Sequence, residues 1–133
     1  MLTKRILSVG QCSADHNALS RISRSQFGAE VVSADCASEA LGLMEEEAFD
    51  LVLVNRIFDA DGASGLDFVR QLTQEPPRAN VPVMLVSDHD WAQDEAVKAG
   101  ARPGFGKASL GQPQMLARVR EVLDEGVKVL PAE

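Results

Sequence analysis

The stretch Phe49–Gly62, FDLVLVNRIFDADG, decides the fold. Leu51 to Val54 are four consecutive apolar residues that stop abruptly at Asn55. A run this short, with no polar alternation, suits a strand covered on both faces, as in a parallel sheet flanked by helices. The polar residues that follow, with Asp59, Asp61 and Gly62, read as a loop. A buried strand that ends on a polar residue delivers that residue to the edge of the sheet.

Similar runs occur at Arg5–Val9, Glu30–Ala34 and Val83–Val86, with a weaker fifth around Gly104–Gly106. Helix-period segments separate them. Ser13 is expected to cap a helix over Ala14–Gln26, with Ala18, Leu19 and Ile22 on one face. Asp35 or Cys36 precedes a second helix in which Ala37, Ala40, Leu41 and Met44 recur at threes and fours. Ser64 can cap a third carrying Phe68, Val69 and Leu72, ended near the prolines of PPRANVP. A fourth spans Asp90 to Ala99 with Gly100 as its stop. The last starts at Pro113, with Met115, Leu116, Val119, Val122 and Leu123 in one stripe.

Five βα units in succession predict an α/β class: one doubly wound domain with right-handed crossovers and helices on both faces. Residues 1–125 form this domain, and 126–133 read as a C-terminal tail or linker stub. In such sheets the working site lies beyond the carboxyl ends of the strands. That edge collects Gly10–Ser13, Asn55 with its loop, Ser87 and Lys107.

Bulk properties narrow the function. The 133 residues suit one domain, and 45% hydrophobic content supports a full core. A net charge of −7 with scattered basic residues argues against nucleic acid or an anionic membrane as partner. No run approaches the roughly 18 apolar residues of a membrane span, and MLTKRILSVG is too short and too soon polar for a signal peptide. Two cysteines, Cys12 and Cys36, make no disulfide framework, so separate thiols and a cytoplasmic setting are expected.

The order of the strand ends, RILSV with its loop, FDLVLVN, VPVMLVS and AGARPGFGK, resembles the receiver domain of two-component response regulators over about residues 4–125. The resemblance implies a flavodoxin- and CheY-like fold with sheet order 2-1-3-4-5. It also implies a phosphorylation site with paired acids after the first strand, a phospho-accepting Asp after the third, Ser or Thr after the fourth and Lys after the fifth. Ser87 and Lys107 fall on the last two positions. Gly10 and Gln11 stand where the acid pair belongs, Asn55 where the acceptor belongs, and Ala108 replaces the usual Pro. The aromatic that couples site to surface would fall at Gly104, beside Phe105.

These departures are chemical. An amide oxygen is a poor nucleophile, and Mg²⁺ wants carboxylate oxygens that Gly10, Gln11 and Asn55 do not supply. The site therefore reads as degenerate, with no metal, no cofactor and no enzymatic activity expected. Lys107 must still find oxygen partners, and the expectation is an ion pair or hydrogen bond to Asn55 or to the loop acids Asp59 and Asp61. DADG resembles part of a calcium loop, but Arg70 stands where the closing Glu is needed, so these acids read as loop solvation. Ser87 is expected to cap the turn SDHD or the helix behind it.

The leading expectation is an atypical receiver acting as a phosphorylation-independent interaction module. The implied partners are a sensor kinase, a regulator, another receiver or a second copy of this chain. Trp91, Gly104 and Phe105 mark the candidate contact surface, with Trp91 readable either as core or as contact. The competing expectation is a small-ligand or anion-binding domain using GQCSADH at a helix N-terminus.

Overall fold

The apolar runs and helix-period segments become five parallel strands and five α-helices in the computed structural model, which describes residues 3–75 and 80–128. The strands are β1 (Arg5–Val9), β2 (Glu30–Ala34), β3 (Leu51–Asn55), β4 (Val83–Val86) and β5 (Arg102–Phe105). The helices are α1 (Ser13–Phe27), α2 (Ala37–Glu46), α3 (Gly65–Gln74), α4 (Asp90–Lys98) and α5 (Pro113–Lys128). Sheet order is β2-β1-β3-β4-β5 with every pair parallel, a doubly wound CheY-like architecture.

The central strands are mostly apolar, Ser8 of β1 apart, because successive side chains enter two separate cores. Leu7, Val9, Val52, Val54 and Leu85 pack with Phe68, Val69 and Leu72 of α3 and with Ala92 and Ala96 of α4. Ile6, Leu51, Leu53, Met84 and Val86 pack on the other face with Leu19 of α1 and with Met115, Val119, Val122 and Leu123 of α5. Each fully buried Val, Leu or Ile contributes about 1.5–3 kcal/mol relative to exposure, so these two layers dominate stability.

Local details depart from the sequence expectations in instructive ways. Asn55 is the last residue of β3, paired with Val86, so it belongs to the strand rather than to the loop after it. The fifth strand lies earlier than Gly104–Gly106, because Arg102 pairs with Met84 and Phe105 with Val86. Ser13 does not cap α1. Cys12 holds the extended cap position without a side-chain bond, and Ser13 is already helical. Ser64 does cap α3, accepting a hydrogen bond from the Asp67 amide at 3.2 Å. Helix α4 ends at Lys98, and the Ala99 cap amide bonds back to its last turn. Helix α5 continues through 126–128 to Lys128, past the boundary expected at 125, and 129–133 lie outside the described residues.

Candidate functional site

Asn55 is only 7% exposed and sits where β3 ends beside β1. Its Nδ2 donates to the carbonyl of Gly10 at 3.0 Å and to that of Ile57 at 2.8 Å. Two carbonyl acceptors require the NH₂ end of the amide, so the carbonyl end is left for the cleft that Asn55 lines. The Gly10 carbonyl also accepts from the Asp59 amide at 2.9 Å. The β1 end, Asn55 and the loop after it are thereby tied together without a charge.

Gly10 has φ +78°, and a Cβ there would lie 2.3 Å from the Phe58 ring. That ring is 1% exposed and packs edge-on against Phe68, with centroids 6.0 Å apart. The position that carries an acid in the resemblance is thus filled by a neighbouring aromatic. Gln11 is 7% exposed, and neither its Oε1 nor its Nε2 has a hydrogen-bond partner among the described residues.

Lys107 does not reach Asn55, Asp59 or Asp61. Its ammonium lies 2.7 Å from the Asp15 carboxylate in the first turn of α1. The hydrogen bond from Lys107 is the main reason the Asp15 carboxyl titrates below the usual Asp range, with the Cys12 side chain and the lysine's charge helping against partial burial. Asp15 carries no strand-end signal in the sequence, because it lies in the first turn of α1 rather than at the end of a strand. Asp61 instead accepts from the Ala63 amide at 2.9 Å and organises its own loop, while Asp59 is exposed. Among the described residues no three His, Cys, Asp or Glu side chains gather as a metal site requires.

Ser87 is buried, and its Oγ accepts from the His89 amide at 3.1 Å, fixing the turn into α4. The next residue, Asp88, accepts from the Ala108 amide at 3.3 Å and opens the 3₁₀ turn Lys107–Ser109. Between these groups lies an open cleft of about 220 Å³, lined by Asn55, Arg56, Ile57, Ser87, His89 and Lys107 among others.

Of the three residues expected on a contact surface, only Trp91 is exposed. It is 55% exposed, with the Arg56 guanidinium 5.7 Å above its ring and His89 beside it. Gly104 and Phe105 are buried, because β5 turns both into the packing beneath α4 and α5. Ile57, 43% exposed at the cleft rim, is the apolar neighbour that hydropathy could not separate from core. His89 is exposed and stands at the cap of α4, whereas His16 is half-buried and its Nδ1 has no partner among the described residues. Cys12 and Cys36 are free thiols, each at the cap of a helix.

No curated protein matches the chain. Solved structures do match in fold. A response regulator from Chloroflexus aurantiacus J-10-fl is 20% identical, with a TM-score of 0.80 over 92% of this chain and 98% of that one. The signal receiver domain of a DNA-binding response regulator from Colwellia psychrerythraea 34H is 20% identical, with a TM-score of 0.78 over 91% and 98%. NtrX from Brucella abortus is 24% identical, with a TM-score of 0.75 over 96% of this chain but only 28% of that longer one. Residues 7–120 match the response regulator receiver domain, and with the strand-end site in the same order the chain belongs to that family, the receivers of two-component signalling.

Proposed function

We propose that this receiver works without phosphorylation, as a protein-interaction module of a phosphorelay-type pathway, and that it is not an enzyme. The observation that carries this reading is the Asn55 amide, with its NH₂ end turned onto the Gly10 and Ile57 carbonyls. A phospho-acceptor must present a nucleophilic oxygen, and an amide oxygen is a very poor one. The residues also fail to suit Mg²⁺. Gly10 has no room for a side chain, Gln11 and Asn55 are neutral, and the Asn55 NH₂ occupies two backbone oxygens at the mouth. The Asp15 carboxylate is already engaged by Lys107.

What remains is a surface. Exposed Trp91 and Ile57 flank Arg56 at the cleft rim, the kind of aromatic and Arg grouping that anchors protein contacts. The partner is a signalling protein: a sensor kinase, a regulator, another receiver or a second copy, met in the cytoplasm. The test is acetyl phosphate or beryllofluoride with Mg²⁺. The expected outcome is no aspartyl-phosphate mass gain and no large chemical-shift change at the strand ends. Stoichiometric labelling would overturn the reading.

A second reading, a small-ligand or anion site, draws on one observation: the buried Gln11 amide between β1 and α1 has no partner among the described residues. Saturable thermal stabilisation by a nucleotide, a flavin or inorganic phosphate would favour it.

A further inference from the structure

The ladder between β4 and β5 is broken in the middle. Met84 pairs with Arg102 and Val86 with Phe105, so Leu85 alone stands against Pro103 and Gly104. Such a bulge leaves backbone groups without ladder partners, and Pro103 has no N–H to offer.

The gap is filled by the side-chain amide of Gln93, from α4. Its Nε2 donates to the Leu85 carbonyl at 2.9 Å and the Ser87 carbonyl at 3.0 Å. Its Oε1 accepts from the Gly104 amide at 3.1 Å. One amide thus bridges both sides of the gap, donating mainly toward β4, with a longer contact to the Phe105 carbonyl at 3.4 Å, and accepting from β5. The fit depends on Gly104, since a Cβ there would lie 2.2 Å from the Leu85 carbonyl oxygen and 3.1 Å from Gln93 Oε1. From the other side, Arg118 of α5 donates to the Gly104 carbonyl.

We infer that Gln93 is a fixed strut that locks α4 to the β4–β5 edge, holding the face formed by α4, β5 and α5 in one conformation with no trigger. The inference rests on the phosphorylation-independent reading and says how such a module keeps its face formed. No rotamer switch can operate at Gly104, which has no side chain, and the space beside it is taken by an amide with both ends bonded. Ser87 joins the cleft to the same unit, because its carbonyl is held by Gln93 and its amide by the Phe105 carbonyl at 2.9 Å. Gln93 is therefore a positioning residue, linking helix, sheet and cleft wall.

The experiment is amide hydrogen exchange by NMR on the full chain, without phospho-donor or metal. In the wild type the Gly104 N–H and the Gln93 side-chain NH₂ are expected to exchange at least about 100-fold more slowly than in an unstructured peptide. In Gln93→Leu, of similar size without polar atoms, Gly104 exchange rises about tenfold or more while the β1 and β3 amides keep their protection. If the variant does not fold, the wild-type measurement decides, and Gln93 NH₂ protons exchanging at free-amide rates would overturn the strut. Unchanged Gly104 protection in a folded Gln93→Leu would overturn it equally. Beryllofluoride with Mg²⁺ separates the two proposals. Large strand-end shifts with Gln93 still protected sink the silent site and spare the strut, and an unprotected Gln93 in a protein inert to beryllofluoride does the reverse.

Discussion

Lys107 Nζ and Asp15 Oδ2 lie 2.7 Å apart, so the cation at the end of β5 is neutralised from the first turn of α1. Asp15 keeps 24% of its side chain exposed and Lys107 43%, which places the pair nearer the surface than the interior. A double-mutant cycle with Asp15→Asn and Lys107→Gln is expected to give a coupling of roughly 0.5–1 kcal/mol at neutral pH by denaturant unfolding. Because the folded Asp15 carboxyl lies below its unfolded value, this stability is fully present above the ordinary Asp value of about 3.9. It is lost as the pH falls through the lower folded value. A coupling unchanged in strong acid would show that charge is not its source.

Asn55→Asp is expected to fail twice. It does not restore labelling by acetyl phosphate, because Gly10 and Gln11 still supply no carboxylate. It also destabilises the fold by about 2 kcal/mol or more at neutral pH, since a buried carboxylate would face two carbonyl oxygens where a donor now sits. Such a carboxyl titrates higher in the folded protein than in the unfolded chain. The penalty is therefore smallest below about pH 4, where one carboxyl O–H can serve one of the two carbonyls, and grows as the pH rises through the folded value. Efficient Mg²⁺-dependent labelling of this variant is the outcome that would sink the silent-site reading.

Gly10→Ala combines a positive φ with a Cβ only 2.3 Å from the Phe58 ring, and a loss of about 2–4 kcal/mol follows from strain and overpacking together. Rebuilding the acid pair by Gly10→Asp meets the same wall. Chemical denaturation of the alanine variant decides the point, and a change within about 0.5 kcal/mol would mean that Phe58 yields its place cheaply.

Trp91 is the sole tryptophan and lies on the surface, so its fluorescence reports on the rim of the cleft. Its emission is expected to be long-wavelength, readily quenched by iodide and indifferent to Mg²⁺ with beryllofluoride. Trp91→Ala changes folding stability by no more than about 0.5 kcal/mol, while costing about 2 kcal/mol or more in affinity for a partner seated at this rim. A partner that binds the variant with full affinity would move the contact surface away from α4.

How far the site was legible in the sequence follows from what kind of signal each residue carried. Asn55, Ser87 and Lys107 were placed by short apolar runs that end in polar residues, a pattern written into consecutive positions. β5 carries a weak signal because Pro103 and Gly104 are poor strand residues, and they pair with β4 only through a bulge. Ser13 has the residue type and the position of a cap, whereas the Cys12 backbone takes that place.

Hydrophobic period and strand-end order are local properties, and they were enough for the α/β class, the five strands and the identity of the groups at their ends. Which groups meet is settled by the packed fold. It gave Lys107 to Asp15 rather than to Asp59 or Asp61, turned the Asn55 amide onto two carbonyls and put the Phe58 ring beside Gly10. It also set the Gln93 amide into the gap between β4 and β5. Each of these contacts joins separate elements, and its geometry is settled by how helices seat on the sheet, which no run of neighbouring residues records.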